Sequence, residues 1–513
     1  MDNNNTLHQV AKGAGLLFIG TFFVYIIKFI YRIIVSRYLG PADYGLLSLG
    51  DGIFNIISLI AMLGLSSGGA VKFISHYLGE KRLEKVKGTI LTTFKITIPF
   101  SILVAGITIV FSQYIAIGIF NKKALIPIIV IFSVAIPFYV FANLCANIFI
   151  AFGKIKYRNY LTALTRPITS IILVSLIIIL KGNVFHIAMA FLISHILPSF
   201  LGSYLLEFKT FSVIKSKIKA KYNLKEVLTF SLPIFLSGFF LAMMGWIDSF
   251  FLGALKTISD VGIYNVALSL VSTLIIFISA FGKIFFPISS QLYAQKKYSQ
   301  INKTYSSISR WLFMLSFPVF LIILFMSKEI LKIVFGPAYE SGTIVLQILI
   351  FAYFIKAIMG PAPEALMTLN KTKLLFYINS GVAILNMIFN YLLIPWLGIA
   401  GAAIATSIAV VLRDGIIFII VKKELKFKFN INIYLKYFFS GILPILGVYF
   451  LSKNISINLI TLIILVVIYS IFYLILLRLF SSFVHDDLSI VEMIEGKIKI
   501  NLSFVKRFMG VKK

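Results

Sequence analysis

Apolar runs of membrane-crossing length recur along the chain, separated by short polar connections. A helix needs about 20 apolar residues to cross the bilayer core, and in lipid the backbone must satisfy its own hydrogen bonds, so runs of this kind are helices. The pattern predicts about fourteen: Ala14–Ser36, Tyr44–Ser66, Thr89–Ser112, Leu125–Phe152, Leu161–Leu180, Val184–Leu206, Val227–Phe251, Val261–Phe286, Trp311–Met326, Thr343–Leu369, Leu374–Pro395, Ile399–Val421, Tyr434–Leu451 and Ile457–Phe480. The fold class is therefore an all-α integral membrane protein. Met1 to Thr6 is polar, and the first run is too long for the short apolar core of a signal peptide, so it reads as a retained helix.

The polar connections alternate in charge. One set carries Lys72, Lys81, Arg82, Lys85 and Lys87; Lys154, Lys156 and Arg158; Lys209, Lys215, Lys217, Lys219, Lys221 and Lys225; Lys296, Lys297 and Lys303; Lys371 and Lys373; and Lys422, Lys423, Lys426 and Lys428. The other set is short and nearly uncharged, as in Trp396–Gly398 and Ser452–Ser456. Basic loops stay in the cytoplasm, and an even helix count then puts both termini there.

Segments near an offset of 217 residues match. Leu39-Gly40 and Asp43-Tyr44-Gly45 correspond to Leu252-Gly253 and Asp260-Val261-Gly262. Ser75-His76-Tyr77-Leu78 with Lys81-Arg82 corresponds to Ser290-Gln291-Leu292-Tyr293 with Lys296-Lys297, and Phe152-Gly153-Lys154-Ile155-Lys156 to Leu369-Asn370-Lys371-Thr372-Lys373. Six predicted helices separate the mates, so the halves share one orientation, a parallel repeat of the kind transporters use. The expected organisation is a six-helix lobe over 1–206, a basic cytoplasmic linker over 207–225, a second lobe over 226–422, an additional helix pair over 434–480 and a cytoplasmic tail over 481–513.

Composition sharpens this picture. The 513 residues are 60% hydrophobic and only 13% charged, with a net charge of +30, against roughly a quarter charged in soluble domains. A chain this basic suits nucleic acid or an anionic membrane; no soluble basic domain is present to bind nucleic acid, so the membrane reading holds. The lone cysteine, Cys145, lies in an apolar run and reads as a small buried residue. There is no GxxxxGK[ST] loop and no HExxH, and His76, His186 and His195 are isolated, so neither ATP hydrolysis nor a metal cage is expected.

Charge inside membrane helices is costly and normally faces a cavity or a partner. Thr21, Tyr25, Lys28, Arg32 and Ser36 share one face of the first predicted helix, and Ser48, Asp51, Asn55 and Ser58 one face of the second. The eighth repeats the stripe with Asn265, Ser269, Ser272, Ser279 and Lys283. Arg166, Asp248, Lys356, Glu364, Asn386 and Arg413 (beside Asp414) complete the candidate cavity set, with Asn379 and Asn390 on the same helix as Asn386. Lys283 and Arg32, near helix ends, are equally placed to snorkel; Asp51 is equally readable as an ion-pair partner, and the Asn and Ser stripes as packing contacts. Cations outnumber anions, which favours an anionic substrate such as a phosphate or diphosphate. Pro361-Ala362-Pro363 beside Glu364 marks a bend.

Arg37-Tyr38-Leu39-Gly40-Pro41-Ala42-Asp43-Tyr44-Gly45 resembles the first-loop signature of polysaccharide-export flippases. Phe335-Gly336-Pro337-Ala338-Tyr339, Asn370-Lys371-Thr372-Lys373 and Leu397-Gly398-Ile399-Ala400-Gly401-Ala402-Ala403-Ile404-Ala405-Thr406 resemble their C-terminal half. That family belongs to the multidrug/oligosaccharidyl-lipid/polysaccharide superfamily. The resemblance implies two six-helix lobes around a cationic cavity, in which a basic residue of the first helix, here Lys28 or Arg32, holds the diphosphate of a polyprenyl-linked oligosaccharide. It implies no cofactor, leaves Na+ or H+ open as the coupling ion, and names the lipid-linked glycan, membrane lipids and other polysaccharide-assembly proteins as partners. Two other readings make contrary demands: a cation-coupled multidrug extruder calls for an acidic cavity, and a membrane-embedded glycan polymerase or ligase for long outward loops.

Overall fold

The computed structural model describes residues 3–426 and 431–480 with the isolated positions 495 and 503, and side chains from residue 24 onward except at 67, 237 and 241. The side chain of Thr21 and most of the predicted tail therefore lie outside what is described. Those described are almost all helical, and no strand occurs among them.

Thirteen helices are long and apolar enough to span a membrane: α1 (Val24–Met62), α2 (Leu83–Val110), α3 (Leu125–Ala151), α4 (Ile155–Ile179), α5 (Val184–Thr210), α6 (Leu224–Leu255), α7 (Ile258–Ala294), α8 (Tyr298–Phe325), α9 (Pro337–Thr368), α10 (Thr372–Leu397), α11 (Ile399–Leu425), α12 (Ile431–Lys453) and α13 (Leu459–Leu479). The difference from the expected fourteen falls at Gly40. There α1 runs through a break (φ 76°, ψ 176°) followed by Pro41, and one predicted helix lies on each side of it. α8 begins at Tyr298, not Trp311, because its polar first turns carry Ser307, Ser309 and Arg310 buried within protein, where hydropathy gives no signal. The bend expected in α9 is a true interruption: helix stops at Ile358, Gly360 adopts φ 73°, and helix resumes at Ala362.

The repeat is written into the backbone. Lys81 and Lys296 both have φ 58°, and Gly153 (φ 69°) pairs with Asn370 (φ 58°) at the same helix ends. The closing hydrogen bonds match as well. Arg82 N–H donates to Tyr77 O (2.9 Å) as Lys297 N–H does to Leu292 O (2.9 Å), and Lys154 to Phe149 (2.8 Å) as Lys371 to Leu366 (3.1 Å). These are left-handed helix stops that satisfy orphan carbonyls, placed alike in both halves.

The chain divides into two compact units, 1–265 with 390–398, and 266–389 with 399–513. In the first, Ile74, Tyr77, Ile90, Cys145, Phe149 and Leu161 form one buried cluster; in the second, Phe285, Tyr305, Leu312, Leu366 and Ile417 form another. Within the first unit two repeat mates close on each other reciprocally. A Cβ on Gly45 would overlap the Ile258 carbonyl oxygen, and a Cβ on Gly262 would overlap that of Pro41. Gly45 and Gly262, and Pro41 and Ile258, are each 217 residues apart, so one contact is the symmetry image of the other. Small residues let backbones touch where lipid supplies no hydrophobic drive. Gly45→Ala or Gly262→Ala is expected to lower the thermal midpoint of the purified protein, an overpacking cost of about 1–3 kcal/mol each. Gly106→Ala, whose Cβ meets nothing within 4 Å, is expected to leave it unchanged.

Candidate functional site

The site is a cavity of about 260 Å³ within the first unit, walled by α1, α3, α4 and α5. Its polar lining is Lys28 from α1; Tyr139 and Asn143 from α3; Arg158, Thr162 and Arg166 from α4; and His195 from α5. Arg158 and Arg166 are two helical turns apart and so share a face. Pro137, Pro167 and Pro198 lie within the helices that form these walls. The Arg166 guanidinium lies over the Tyr139 ring at 5.4 Å, a contact that holds a cation without neutralising it. Asn143 is turned back to the Tyr139 carbonyl (Nδ2–O 2.9 Å). His195 is 1% exposed and its Nδ1 lies 2.7 Å from the Phe191 carbonyl oxygen. An N–H must donate to a carbonyl, which fixes a proton on Nδ1.

Three cations thus converge on one pocket. Asp51 lies within electrostatic reach of Arg166, Arg32 and Lys28, yet none of them forms an ion pair with it among the described residues; its Oδ1 accepts from Asn55 Nδ2 at 3.0 Å instead. With a single carboxylate nearby, the pocket keeps a surplus of positive charge. That chemistry suits an oligo-anion such as a diphosphate, which Arg meets with paired donors and Lys with a point charge.

The remaining candidates do not join this pocket. Asp248, 3% exposed, accepts from Tyr264 Oη (2.8 Å) and Asn390 Nδ2 (2.7 Å) within the first unit. Ser272 donates to the Ser269 carbonyl of its own helix (2.5 Å), Asn386 donates to Thr406 at 3.5 Å, and Lys283 is exposed. In the second unit Lys356 and Arg413 each stand 3.5 Å from the Asp414 carboxylate, and Arg413 Nε donates to Asn379 Oδ1 at 2.7 Å. Glu364, packed against Gly282, lies within the field of Lys356 and Arg413. Two cations facing two carboxylates make that cluster close to charge-neutral, unlike the pocket of the first unit.

Sequence reasoning singled out Lys28 and Arg166 but gave Arg158 no cavity role, because it stands beside basic loop residues. It did not name Tyr139 or Asn143 and read His195 only as an isolated histidine; an aromatic, an amide and an imidazole in apolar runs carry no signal until neighbours are known. Among the described residues no group of three His, Cys, Asp or Glu side chains could hold a metal ion.

A twice-repeated bundle of membrane-spanning helices enclosing a charged pocket defines a multi-pass transporter. The fold resembles the lipid II flippase MurJ in an inward closed conformation (TM-score 0.70, 19% identity, 90% of this chain and 98% of that one). It also resembles an inward-facing multidrug resistance MATE family transporter of the MOP superfamily (TM-score 0.66, 16% identity, 78% and 94%). The chain belongs to the polysaccharide biosynthesis protein family, whose model matches residues 10–293; the MatE model matches 233–392. A probable low-salt glycan biosynthesis flippase, Agl15 of Haloferax volcanii, is 26% identical over 77% of this chain and 78% of its own length. An uncharacterized membrane protein of Methanocaldococcus jannaschii is 23% identical over 78% and 81%.

Proposed function

We propose that this protein flips a polyprenyl-linked oligosaccharide, a polysaccharide precursor, from the inner to the outer leaflet of the cell membrane by alternating access, with both termini in the cytoplasm. The observation that carries the reading is the surplus of positive charge around Lys28, Arg158 and Arg166. A diphosphate is the part of such a substrate that lipid cannot accommodate, and these groups replace its water. The sugars follow it while the polyprenyl chain stays in the bilayer. Relatives named as a glycan flippase, an O-antigen transporter and a lipid II flippase support the substrate class. Other polysaccharide-assembly proteins are partners in this reading, and Na+ or H+ the coupling ion.

The test is translocation of a lipid-linked glycan in proteoliposomes, with wild type compared against Lys28→Ala and Arg32→Ala at equal insertion. Lys28→Ala is expected to abolish most flipping. Arg32→Ala, whose charge lies outside the pocket lining, is expected to lower it only severalfold. A wild type that moved no glycan lipid but expelled cationic dyes against a Na+ or H+ gradient would replace this reading with the multidrug extruder.

A further inference from the structure

The connection between α5 and α6 is a non-helical strap over 211–223, bent at 213–215, rather than a loose linker. It joins the end of one candidate span at Thr210 to the start of the next at Leu224, so both its ends stand at the edge of the spanning helices. Its sequence Lys215-Ser216-Lys217-Ile218-Lys219-Ala220-Lys221 alternates strictly. Extended chain sends successive side chains to opposite faces, and here the four lysines are exposed while Ser216, Ile218 and Ala220 are half-buried.

The strap is bolted to the unit that holds the pocket. Lys87 Nζ donates to Ser216 O (2.7 Å) and Ser216 Oγ (2.9 Å), and Lys221 N–H donates to Glu84 O (2.9 Å). Gly88 leaves no room for a Cβ against the Lys221 carbonyl. Two nearby acids are already engaged. Glu207 accepts from Ser212 Oγ (2.5 Å) and from the backbone N–H of Val213 (2.7 Å), Ile214 (3.0 Å) and Lys215 (2.9 Å), and Glu226 accepts from Tyr77 Oη (2.9 Å). Among the described residues no carboxylate pairs with a strap lysine. Ile214 (85% exposed), Phe208 (57%) and Tyr222 (53%) flank the lysines with exposed apolar surface, as at a bilayer boundary.

We infer that the Lys215–Lys221 strap is a docking surface for anionic phospholipid headgroups, a rigid row of ammonium groups spaced roughly 7 Å apart by the extended chain. Lysines at a membrane surface each strengthen anionic-lipid attraction by about fivefold, and a fixed row loses less freedom on binding than a mobile loop. The surface orders headgroups beside the pocket-bearing unit without entering the pocket.

The test is titration of short-chain phosphatidylglycerol, against phosphatidylcholine, into the detergent-solubilised full chain. Changing Lys215, Lys217, Lys219 and Lys221 to Gln is expected to weaken the phosphatidylglycerol Kd at least tenfold, with the melting curve unchanged. A control with Lys296, Lys297, Lys303 and Lys371 changed to Gln is expected to bind like wild type. Lys87→Met, which frees the strap but keeps its charge, is expected to fall between them. The inference is overturned if the strap variant keeps its preference, if the control loses as much, or if inorganic diphosphate at matched ionic strength displaces the lipid.

Discussion

Arg166→Ala is expected to weaken binding of a polyprenyl-diphosphate sugar by about 10–100-fold, the loss of a charge-assisted contact of roughly 1.5–3 kcal/mol, and to depress translocation in proportion. Arg166 lines the pocket with Lys28 and Arg158 and lies over Tyr139 rather than against a carboxylate, so its charge is available to a ligand. Arg166 forms no ion pair among the described residues, and Lys28 and Arg32 stay within electrostatic reach of Asp51 when it is removed, so the melting temperature should stay within a degree or two of wild type. Arg166→Lys separates charge from geometry. It keeps the cation but loses the planar fork and the stacking on Tyr139, and is expected to recover only part of the affinity. Equilibrium binding of the same lipid, run beside a melting curve, measures both. An Arg166→Ala protein that binds as tightly as wild type would remove this residue from the site.

Asp414→Ala should behave in the opposite manner. Asp414 is 2% exposed and faces Lys356 and Arg413, each at 3.5 Å. Its loss leaves two cations inside the second unit facing Glu364 without their paired carboxylate. Breaking a buried pair from one side costs about 3–5 kcal/mol, so a strong fall in thermal stability and in membrane yield is expected. The double change Lys356→Met with Asp414→Leu removes both partners of one pair and is expected to recover much of the loss. If Asp414→Ala left stability untouched while abolishing transport, the cluster would belong to the substrate path instead of the scaffold.

These contrasting outcomes follow from a distinction that one-dimensional sequence does not carry. Lys28, Arg166, Lys356 and Arg413 look alike as cations in apolar runs, and all read as lining one cavity. Only the packing shows that Lys356 and Arg413 meet Asp414, whereas among the described residues Lys28 and Arg166 meet no carboxylate at ion-pair distance. Charge type is legible in sequence; the sign of the local sum is not. The spans were legible because lipid requires long apolar runs, and the repeat because its mates fall at helix ends, where Lys81 and Lys296, or Gly153 and Asn370, must turn the chain alike. The early start of α8 was hidden because Ser307, Ser309 and Arg310 are buried in protein rather than in lipid. Reciprocal contact of Gly45 with Ile258 and Gly262 with Pro41 had left only matched glycines in the sequence.

The most direct measurement is an experimental structure of the full chain with a polyprenyl-diphosphate sugar bound. The account predicts density for the two phosphates among Lys28, Arg158 and Arg166, with Lys356, Arg413 and Asp414 still paired. Phosphates seated on Lys356 and Arg413, with the first-unit pocket vacant, would contradict it.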